Sequence, residues 1–302
     1  MTATALIILI VSAFVHAGWN LIGKRTFPTI GFFLAANFLG TLCLLPFVAV
    51  YSRVPGLFHG RVWLLLLSTG LCQAIYYSGL AGAYRSGDMS LAYPMIRAFP
   101  VLFVALISVA LGRGERLSRE SAIGIGLVFI GAFLLPMRRF TEFRWTDHLN
   151  RITVLAVLAA VGTTGYSLID DTALRLVRDQ TASAFEGWQA TIVYAFFEGI
   201  SSSLWLAVFA STSRSTREAV RRSFRGDLGW AALTGLGIYV TYTLVLISMA
   251  FVRDVSYVVA FRQLSIPLGV VLSVALLKER AYLPKFAGTA LMLAGLSLVA
   301  LG

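Results

Sequence analysis

The sequence predicts an all-α integral membrane protein in which ten transmembrane helices form a 5+5 inverted-topology repeat. Hydrophobic residues make up 58% of the 302-residue chain and charged residues only 13%, whereas about a quarter of a typical soluble domain is charged. Apolar stretches recur at the length of about 20 residues that a helix needs to cross the hydrocarbon core of a bilayer. Motifs of the first half also return in the second half.

Ten apolar segments follow one another along the chain, and each is expected to be helical because backbone groups in lipid must be paired within their own segment. Segments 1 to 5 are Thr4–Gly23, Pro28–Tyr51, Arg61–Tyr84, Asp88–Leu111 and Ser118–Met137. Segments 6 to 10 are Ile152–Val177, Ala184–Ala210, Leu228–Val252, Val255–Leu277 and Leu283–Leu301.

Several segments carry features that fit their place in a membrane. Segment 1 is expected to stay as a span, because His16, Trp19 and Asn20 stand where a leader peptide would have a small-residue cleavage site. Trp63 and Trp230 open segments 3 and 8, as aromatic residues do at the membrane interface. The glycines of segments 5 and 10 are predicted to be close packing points between helices. They are Gly124, Gly131, Gly288 and Gly295.

The repeat is visible in paired motifs. Residues His16–Ile22 (HAGWNLI) correspond to Thr163–Ile169 (TTGYSLI), and Asp88–Ser90 corresponds to Asp254–Ser256. We therefore divide the chain into a first repeat (1–137), an inter-repeat loop (138–151) and a second repeat (152–302). Because each repeat holds an odd number of segments, the second must enter the bilayer from the opposite side. Inverted repeats are typical of secondary transporters, whose substrate site lies near mid-membrane where the copies meet.

A set of motifs also resembles a known family. Gly18–Asn20 in segment 1, the turn Arg85–Asp88, the Ser-x-x-Tyr-Pro run that starts at Ser90, and Glu115–Leu117 are similar to the EamA branch of the drug/metabolite transporter superfamily. The resemblance extends over both repeats. It implies a ten-helix carrier of small metabolites or amphipathic compounds, often moving them outward, with a cavity lined largely by helices 3, 4, 8 and 9.

Two features of the sequence predict opposite orientations in the membrane. Of the 25 Lys and Arg residues, fifteen lie at junctions after odd-numbered segments, eight lie at junctions after even-numbered segments, and Arg97 and Arg262 lie inside segments. The positive-inside rule then places the odd junctions in the cytoplasm and both termini outside. The family resemblance instead implies cytoplasmic termini.

The two arginines inside segments are candidates for substrate contact. Arg97 and Arg262 are separated by 165 residues, which is the repeat offset, and Pro94, Pro100 and Pro267 interrupt the helices around them. A charge at the bilayer centre costs at least about 2.5–3.5 kcal/mol, so both side chains should face the protein interior. Either they pair with acids and hold helices together, or they bind cargo. Their forked guanidinium groups would suit an anionic or zwitterionic cargo.

Aromatic and amide side chains complete the predicted site, because a tyrosine inside a span needs a hydrogen-bond partner. Segments 1, 3 and 8 each contribute, as do the neighbours of the two arginines. The predicted substrate-binding residues are Arg97, Arg262, Gln263, Tyr93, Trp19, Asn20, Tyr76, Tyr77, Tyr239 and Tyr242.

Acidic residues supply candidates for ion coupling. Glu198 lies in the middle of segment 7, at the position that answers Asn37 of segment 2. It is either the partner of an arginine or a protonatable coupling group. Asp170, near the end of segment 6, is a second coupling candidate, although its position favours the membrane interface. Glu115 and Glu279 are repeat-equivalent and are expected to pair with nearby arginines.

The function predicted from these features is secondary transport of a small polar or amphipathic organic metabolite across the cell (inner or plasma) membrane. Protons are the possible coupling ion, membrane lipids and the small-molecule substrate are the expected partners, and the chain is expected to be a monomer or homodimer. The histidines are scattered and phosphate-loop and nucleophile-elbow motifs are missing. We therefore expect no enzyme, cofactor, metal site or nucleic-acid partner. The alternatives are a phospholipid or lipid-linked flippase and an intramembrane enzyme acting on a lipid.

Overall fold

A computed structural model describes residues 3–26, 28–108, 118–141, 149–249 and 264–301, and all regular secondary structure in these ranges is helical. The helices of the first half are α1 (Ala3–Arg25), α2 (Ile30–Leu42), α3 (Leu45–Val50), a short 3-10 helix (Val54–Leu57), α4 (Gly60–Ser86), α5 (Met89–Ser108) and α6 (Arg119–Leu134). Those of the second half are α7 (Arg151–Thr181), α8 (Gly187–Ser211), α9 (Arg214–Arg225), α10 (Leu228–Met249), α11 (Ser265–Leu277) and α12 (Leu283–Leu301).

Six stretches of these helices are long and apolar enough to cross a membrane. They are Ile7–Arg25, Ile30–Val50, Gly60–Ser86, Arg151–Thr181, Gly187–Ser211 and Leu228–Val245. The prediction of an all-helical membrane protein is therefore confirmed, whereas the count of ten spans and the inverted repeat stay predictions. The first part of predicted segment 9 lies outside the described residues.

Two local features differ from the predicted segments. Segment 2 is divided into α2 and α3, because Pro46 stands in the first turn of α3 and has no amide hydrogen to continue the helix before it. The basic run after segment 7 is the helix α9, whose N-cap Ser213 accepts a hydrogen bond from the Thr216 amide at 3.1 Å.

Contacts between helix ends distinguish two ends of the molecule. The Lys24 ammonium group, at the end of α1, donates to the carbonyl oxygens of Tyr84 and Gly87 at the end of α4. The start of α2 packs there on α9, so closely that a Cβ on Gly31 would lie 2.5 Å from the Val220 nitrogen. We call this the α9 end. At the other end, the His59 amide before α4 donates to Gln180 Oε1 of α7 at 3.1 Å.

Glycines allow the closest helix contacts, as predicted for α6 and α12. A Cβ on Gly131 would lie 2.6 Å from the Gly288 carbonyl oxygen, and a Cβ on Gly295 would lie 2.4 Å from that of Gly124. The role of these glycines in packing is confirmed, since a side chain on Gly131, Gly288 or Gly295 would collide with the backbone of the facing helix.

Several polar groups are buried inside the bundle, whereas many large apolar groups lie on its outer surface. Leu64, Val154 and Leu204 are more than 60% exposed, whereas Asn37 and Glu198 are 1% and 2% exposed. An apolar outer surface of this kind matches the hydrocarbon around a membrane protein, where a soluble protein would have polar residues. The buried polar groups therefore mark the part of the interior where function is to be sought.

Candidate functional site

A cavity of about 80 Å³ lies between α1, α2, α4, α7, α8 and α10. Its lining comes mainly from the middle of these helices and is rich in tyrosine. The lining residues are His16, Trp19, Asn37, Gln73, Tyr76, Tyr77, Tyr166, Ala195, Glu198, Ile238, Tyr239, Thr241 and Tyr242. Glu198 is the one acidic member of this set, and the described lining contains no lysine or arginine.

Helical spacing brings the aromatic side chains to one place. Gln73, Tyr76 and Tyr77 lie three and four residues apart on α4, and Tyr239 and Tyr242 lie three apart on α10, so each set occupies one face of its helix. The ring centroids of Tyr76 and Tyr77 are 4.9 Å apart. The Tyr76 ring also lies 6.0 Å from that of Tyr166 in edge-to-face geometry, which joins α4 to α7.

Glu198 on α8 is the chemical centre of the cavity. The Gln73 amide nitrogen donates to its Oε1, and the Tyr242 hydroxyl donates to its Oε2 at 3.5 Å. The carboxyl group is therefore held from two sides, by α4 and by α10, and its direction into the cavity is fixed by these two donors.

Asp170 lies behind Glu198 and is buried, contrary to the expectation of an interfacial position. Its Oδ1 accepts hydrogen bonds from the Thr69 hydroxyl at 2.7 Å and the Tyr194 hydroxyl at 2.9 Å. The carboxyl groups of Asp170 and Glu198 are close enough to affect each other electrostatically. Two neighbouring buried carboxyl groups hold one proton between them more readily than they carry two charges, so the pair is suited to holding and releasing a proton.

A hydrogen-bond network around Asn37 holds the walls together. The Asn37 amide nitrogen donates to the Gly199 carbonyl at 3.0 Å and to the Ser203 hydroxyl at 2.9 Å. The Tyr239 hydroxyl donates to Asn37 Oδ1 at 3.4 Å and shares a 2.6 Å hydrogen bond with Thr41. The network connects α2, α8 and α10 beside the cavity.

His16 and Trp19 form the α1 wall, with their ring centroids 5.0 Å apart in edge-to-face geometry. Trp19 is 4% exposed, and its indole N–H has no hydrogen-bond partner in the described part of the chain. The Cβ atom of Trp19 packs on α10, where a Cβ on Gly237 would lie 2.9 Å from it. A buried N–H beside a cavity is a donor ready for a group that enters it.

The structure brings together six of the residues predicted for binding or coupling: Trp19, Tyr76, Tyr77, Tyr239, Tyr242 and Glu198 all line the cavity. Asn20 points elsewhere, because it accepts from the Tyr84 hydroxyl at 2.7 Å and donates to the His16 carbonyl at 2.8 Å.

Two further predicted residues lie on α5, and two fall outside the described part of the chain. Tyr93 is buried, with its ring centroid 6.0 Å from that of His16, so it lies behind the α1 wall. Arg97 is half-buried one turn further along α5 and interacts electrostatically with Tyr84. Arg262 and Gln263 lie outside the described residues.

Some lining residues were not among those predicted, notably Gln73, Tyr166 and Asn37. Tyr166 and Asn37 are the repeat counterparts of predicted residues, so repeat symmetry alone would have found them. The signal for Gln73 is its spacing, since it precedes Tyr76 and Tyr77 by three and four residues and must share their face of α4.

A second polar cluster joins the two halves of the chain at the α9 end. Both carboxylate oxygens of Glu279 accept backbone hydrogen bonds from α5, from the Met89 amide at 2.7 Å and the Ser90 amide at 2.8 Å. Lys285, which is 3% exposed, donates to the Ser90 hydroxyl at 2.6 Å and lies 3.8 Å from an Asp88 oxygen. We call Lys24, Asp88, Glu279 and Lys285 the polar latch. Glu279 thus caps the start of α5, where pairing with an arginine had been expected.

A larger cavity of about 530 Å³ also lies at the α9 end. Its lining includes Arg25, Arg222 and Trp230, which are exposed residues of the kind found at headgroup depth. The smaller cavity is the stronger candidate for a substrate site, because it lies among the spanning helices and contains the buried acid.

The comparison with protein families agrees with the motifs. Residues 3–137 match the model of the EamA-like transporter family. No curated protein gives a significant match to the chain. The family is one of membrane transporters, and the matched residues supply the cavity walls on α1, α2 and α4. The resemblance drawn from the motifs is confirmed over residues 3–137, where the chain matches the EamA-like transporter family of the drug/metabolite transporter superfamily.

Proposed function

We propose that this protein is a secondary transporter that moves a small polar or amphipathic organic solute across the cell membrane by alternating access. In this proposal ten spans form two inverted halves, residues 1–137 and 152–302, around one central site. The observation that carries it is the origin of the cavity walls. Trp19 lines the cavity with its repeat counterpart Tyr166, and Asn37 does so with its counterpart Glu198.

The tyrosines extend the same argument. Tyr76 and Tyr77 of the first half face Tyr239 and Tyr242, which occupy roughly corresponding positions in the second half. In an inverted repeat, residues at equivalent positions converge where the halves meet, and carriers bind their substrates at that place. A cavity built from equivalent positions supports a site that both halves enclose and that either half can uncover.

The contacts of the polar latch support closure of the central site towards the α9 end. Glu279 and Lys285 belong to the second half, and the α5 amides and Asp88 that they contact belong to the first. In our proposal these contacts form when the site is closed towards the α9 end and separate when it opens there. Capping of the α5 N-terminus by a carboxylate adds stability to the closed state.

The small volume of the cavity also fits a transport cycle in which the site opens and closes. Ligand pockets commonly have volumes of roughly 300–1,000 Å³, whereas this one has about 80 Å³. That volume is enough for about two or three water molecules at roughly 30 Å³ each. We take the structure to represent a contracted state, in which the site must widen before a metabolite-sized solute enters.

The charged residues indicate the charge of the cargo and the coupling ion. The expectation of an anionic or zwitterionic cargo rests on Arg97 and Arg262, whereas the described lining contributes the acid Glu198. An acid in the lining, together with two arginines proposed to contact the cargo, favours the zwitterionic alternative. The Asp170–Glu198 pair is our candidate for proton coupling, because two carboxyl groups that share a proton respond to its loss. Outward transport driven by protons follows if cargo and proton compete for this pair.

Transport by purified protein in liposomes tests the proposal. Vesicles are loaded with an unlabelled metabolite extract and diluted into the same extract labelled with ¹³C, and mass spectrometry follows labelled solutes inside. We expect a small set of solutes to accumulate unchanged by counterflow, and Glu198→Gln to reduce their exchange. Glu218→Gln, on the exposed face of α9, is the matched control and should exchange normally.

Two outcomes would replace the proposal. Appearance of chemically converted products would favour an enzyme, and movement of labelled phospholipid between leaflets without solute exchange would favour a flippase. Exchange of no solute by folded protein would also contradict it.

A further inference from the structure

We infer that the Glu198 corner of the central cavity is a subsite for an organic cation, namely an aliphatic ammonium group carried by the cargo. The inference deepens the proposed function and rests on it for its physiological meaning, but the binding event can be tested separately. It is drawn from the charge, the aromatic walls and the donors of the described cavity.

The charge of the site favours a cation. Glu198 is 2% exposed and its partners among the described residues are the donors Gln73 and Tyr242 and the second acid Asp170. When either of the two neighbouring carboxyl groups is ionised, it creates a negative potential in a medium of low dielectric constant, because the described lining contains no lysine or arginine. A buried carboxylate in such a place gains most from a cation that brings its own charge.

The aromatic walls favour a cation with an aliphatic surface. Five tyrosines and Trp19 surround the cavity, and a cation near the face of such a ring gains about 0.5–2 kcal/mol, more when water is excluded. Tyr76 and Tyr166 lie edge to face at 6.0 Å, and Tyr77 lies 4.9 Å from Tyr76. Several aromatic rings lining one cavity next to a carboxylate supply the groups that recognise alkylammonium ions.

The remaining lining suits the rest of a polar cargo. The Trp19 indole N–H, buried and without a partner in the described part of the chain, is a donor for an oxygen atom of the ligand. A cargo with an ammonium group at Glu198 and an oxygen at Trp19 would use both features. His16 lies beside Trp19, and in its neutral form it does not oppose the cation.

Competition with protons follows from the geometry. A proton on the carboxyl pair removes the charge that binds the ammonium group, so binding should strengthen as the pH rises from about 5 to 8. The other titratable side chains that surround the pair are one histidine, one cysteine and six tyrosines. They are His16, Cys72, Tyr76, Tyr77, Tyr166, Tyr194, Tyr239 and Tyr242. Protonation of His16 at the lower pH would weaken binding in the same direction.

Thermal unfolding of the purified protein in detergent, with four probes, tests the inference. Choline and ethanolamine carry ammonium groups, 3,3-dimethyl-1-butanol is the uncharged analogue of choline, and acetate is an anion. We expect at least one of the two cations to raise the unfolding temperature in a saturable manner at pH 8, and less at pH 5. The uncharged analogue and acetate should have no such effect.

Variants connect the effect to the subsite. Glu198→Gln should weaken the apparent affinity at least about tenfold, the factor that corresponds to 1.4 kcal/mol, whereas the matched variant Glu218→Gln should bind as the parent does. If Glu198→Gln does not fold, Tyr166→Leu replaces it, because it removes an aromatic wall without touching the carboxyl group. Stabilisation by neither cation, or equal stabilisation by the uncharged analogue, would overturn the inference.

The binding and transport results are separable. Cation binding without exchange of any solute would leave the subsite standing and remove the transport proposal. Exchange of solutes without Glu198-dependent cation binding would do the reverse.

Discussion

Asn37 shows how much of the central structure depends on one side chain. Its amide nitrogen connects α2 to two groups of α8, and its oxygen accepts from Tyr239 of α10. Inside a membrane protein, water is not at hand to replace such partners, so a buried polar side chain of this kind sets the position of its neighbours.

Replacement of Asn37 by leucine should therefore lower stability. Asn37→Leu leaves the Gly199 carbonyl and the Ser203 and Tyr239 hydroxyls with one partner fewer, and hydrogen bonds between membrane helices are worth about 0.6–1.7 kcal/mol each. We expect a lower unfolding temperature in detergent, measured by loss of the monodisperse peak after heating. Phe38→Ala, at the neighbouring and more exposed position, is the control, and an equal loss there would contradict the role given to Asn37.

The predicted and observed sites overlap at the residues whose burial is costly. Tyr76, Tyr77, Tyr239 and Tyr242 were identified because a hydroxyl within a span needs a partner, and that requirement does not depend on the fold. Gln73 carries no charge and follows no motif, so only its position on the α4 face reveals it. Lys24 and Lys285 look like loop charges in the sequence, because the carbonyl and hydroxyl oxygens that bind them come from other helices.

Among the helices, the sequence predicted the long ones better than the short ones and the helix ends. Apolar length alone identifies α4, α7 and α8, since a bilayer fixes how long an apolar helix must be. The break between α2 and α3 depends on the single residue Pro46, and α9 depends on a run of arginines that is also typical of a loop. Short elements of this kind take their structure from local capping and from packing on neighbours, which apolar patterning does not report.

The seam between α6 and α12 offers a sharp test at this scale. A side chain at Gly131 would meet the Gly288 carbonyl oxygen at 2.6 Å, and that backbone atom cannot move aside without separating the helices. Gly131→Val should therefore reduce the yield of folded protein severely, with a cost above the roughly 1–3 kcal/mol of ordinary overpacking. Size-exclusion chromatography of the purified variant measures the folded fraction.

Gly126 is the matched control on the same helix, since a Cβ there would meet nothing within 4 Å. Gly126→Val should give nearly normal protein. If both variants fold equally well, close packing at the seam is not needed.

The distribution of charge over the whole molecule should decide its orientation in the membrane. The α9 end carries Arg214, Arg217, Arg221, Arg222 and Arg225. The positive-inside rule places this end in the cytoplasm, whereas the usual arrangement of the family places the termini there. Ser215 on α9 is exposed, so a cysteine there reports its side directly.

Ser215→Cys in a background with Cys43→Ala and Cys72→Ala should resist a membrane-impermeant maleimide in whole cells. It should react after the cells are permeabilised. Ready labelling of intact cells would reverse the orientation and place the polar latch outside the cell.

The polar latch makes a prediction about both ends of the molecule at once. Glu279→Ala removes the carboxylate that accepts hydrogen bonds from the Met89 and Ser90 amides. Loss of a helix cap costs about 0.5–2 kcal/mol of stability. Loss of about 1.4 kcal/mol shifts a two-state equilibrium tenfold. If the latch closes the α9 end, the variant should populate the state that is open there. Ala83→Cys on α4, buried near this end, should then react with a maleimide about ten times faster.

General loosening of the fold is distinguished by a second cysteine. Val62 is equally buried on the same helix but lies at the opposite end. In an alternating mechanism, opening at the α9 end should leave Val62→Cys no more reactive than before. Glu218→Ala, which removes an exposed glutamate of α9, should change neither rate. A rise at both cysteines in the Glu279→Ala protein would mean that Glu279 holds the fold together without acting as a gate, because a closed structure that simply unfolds exposes both ends alike.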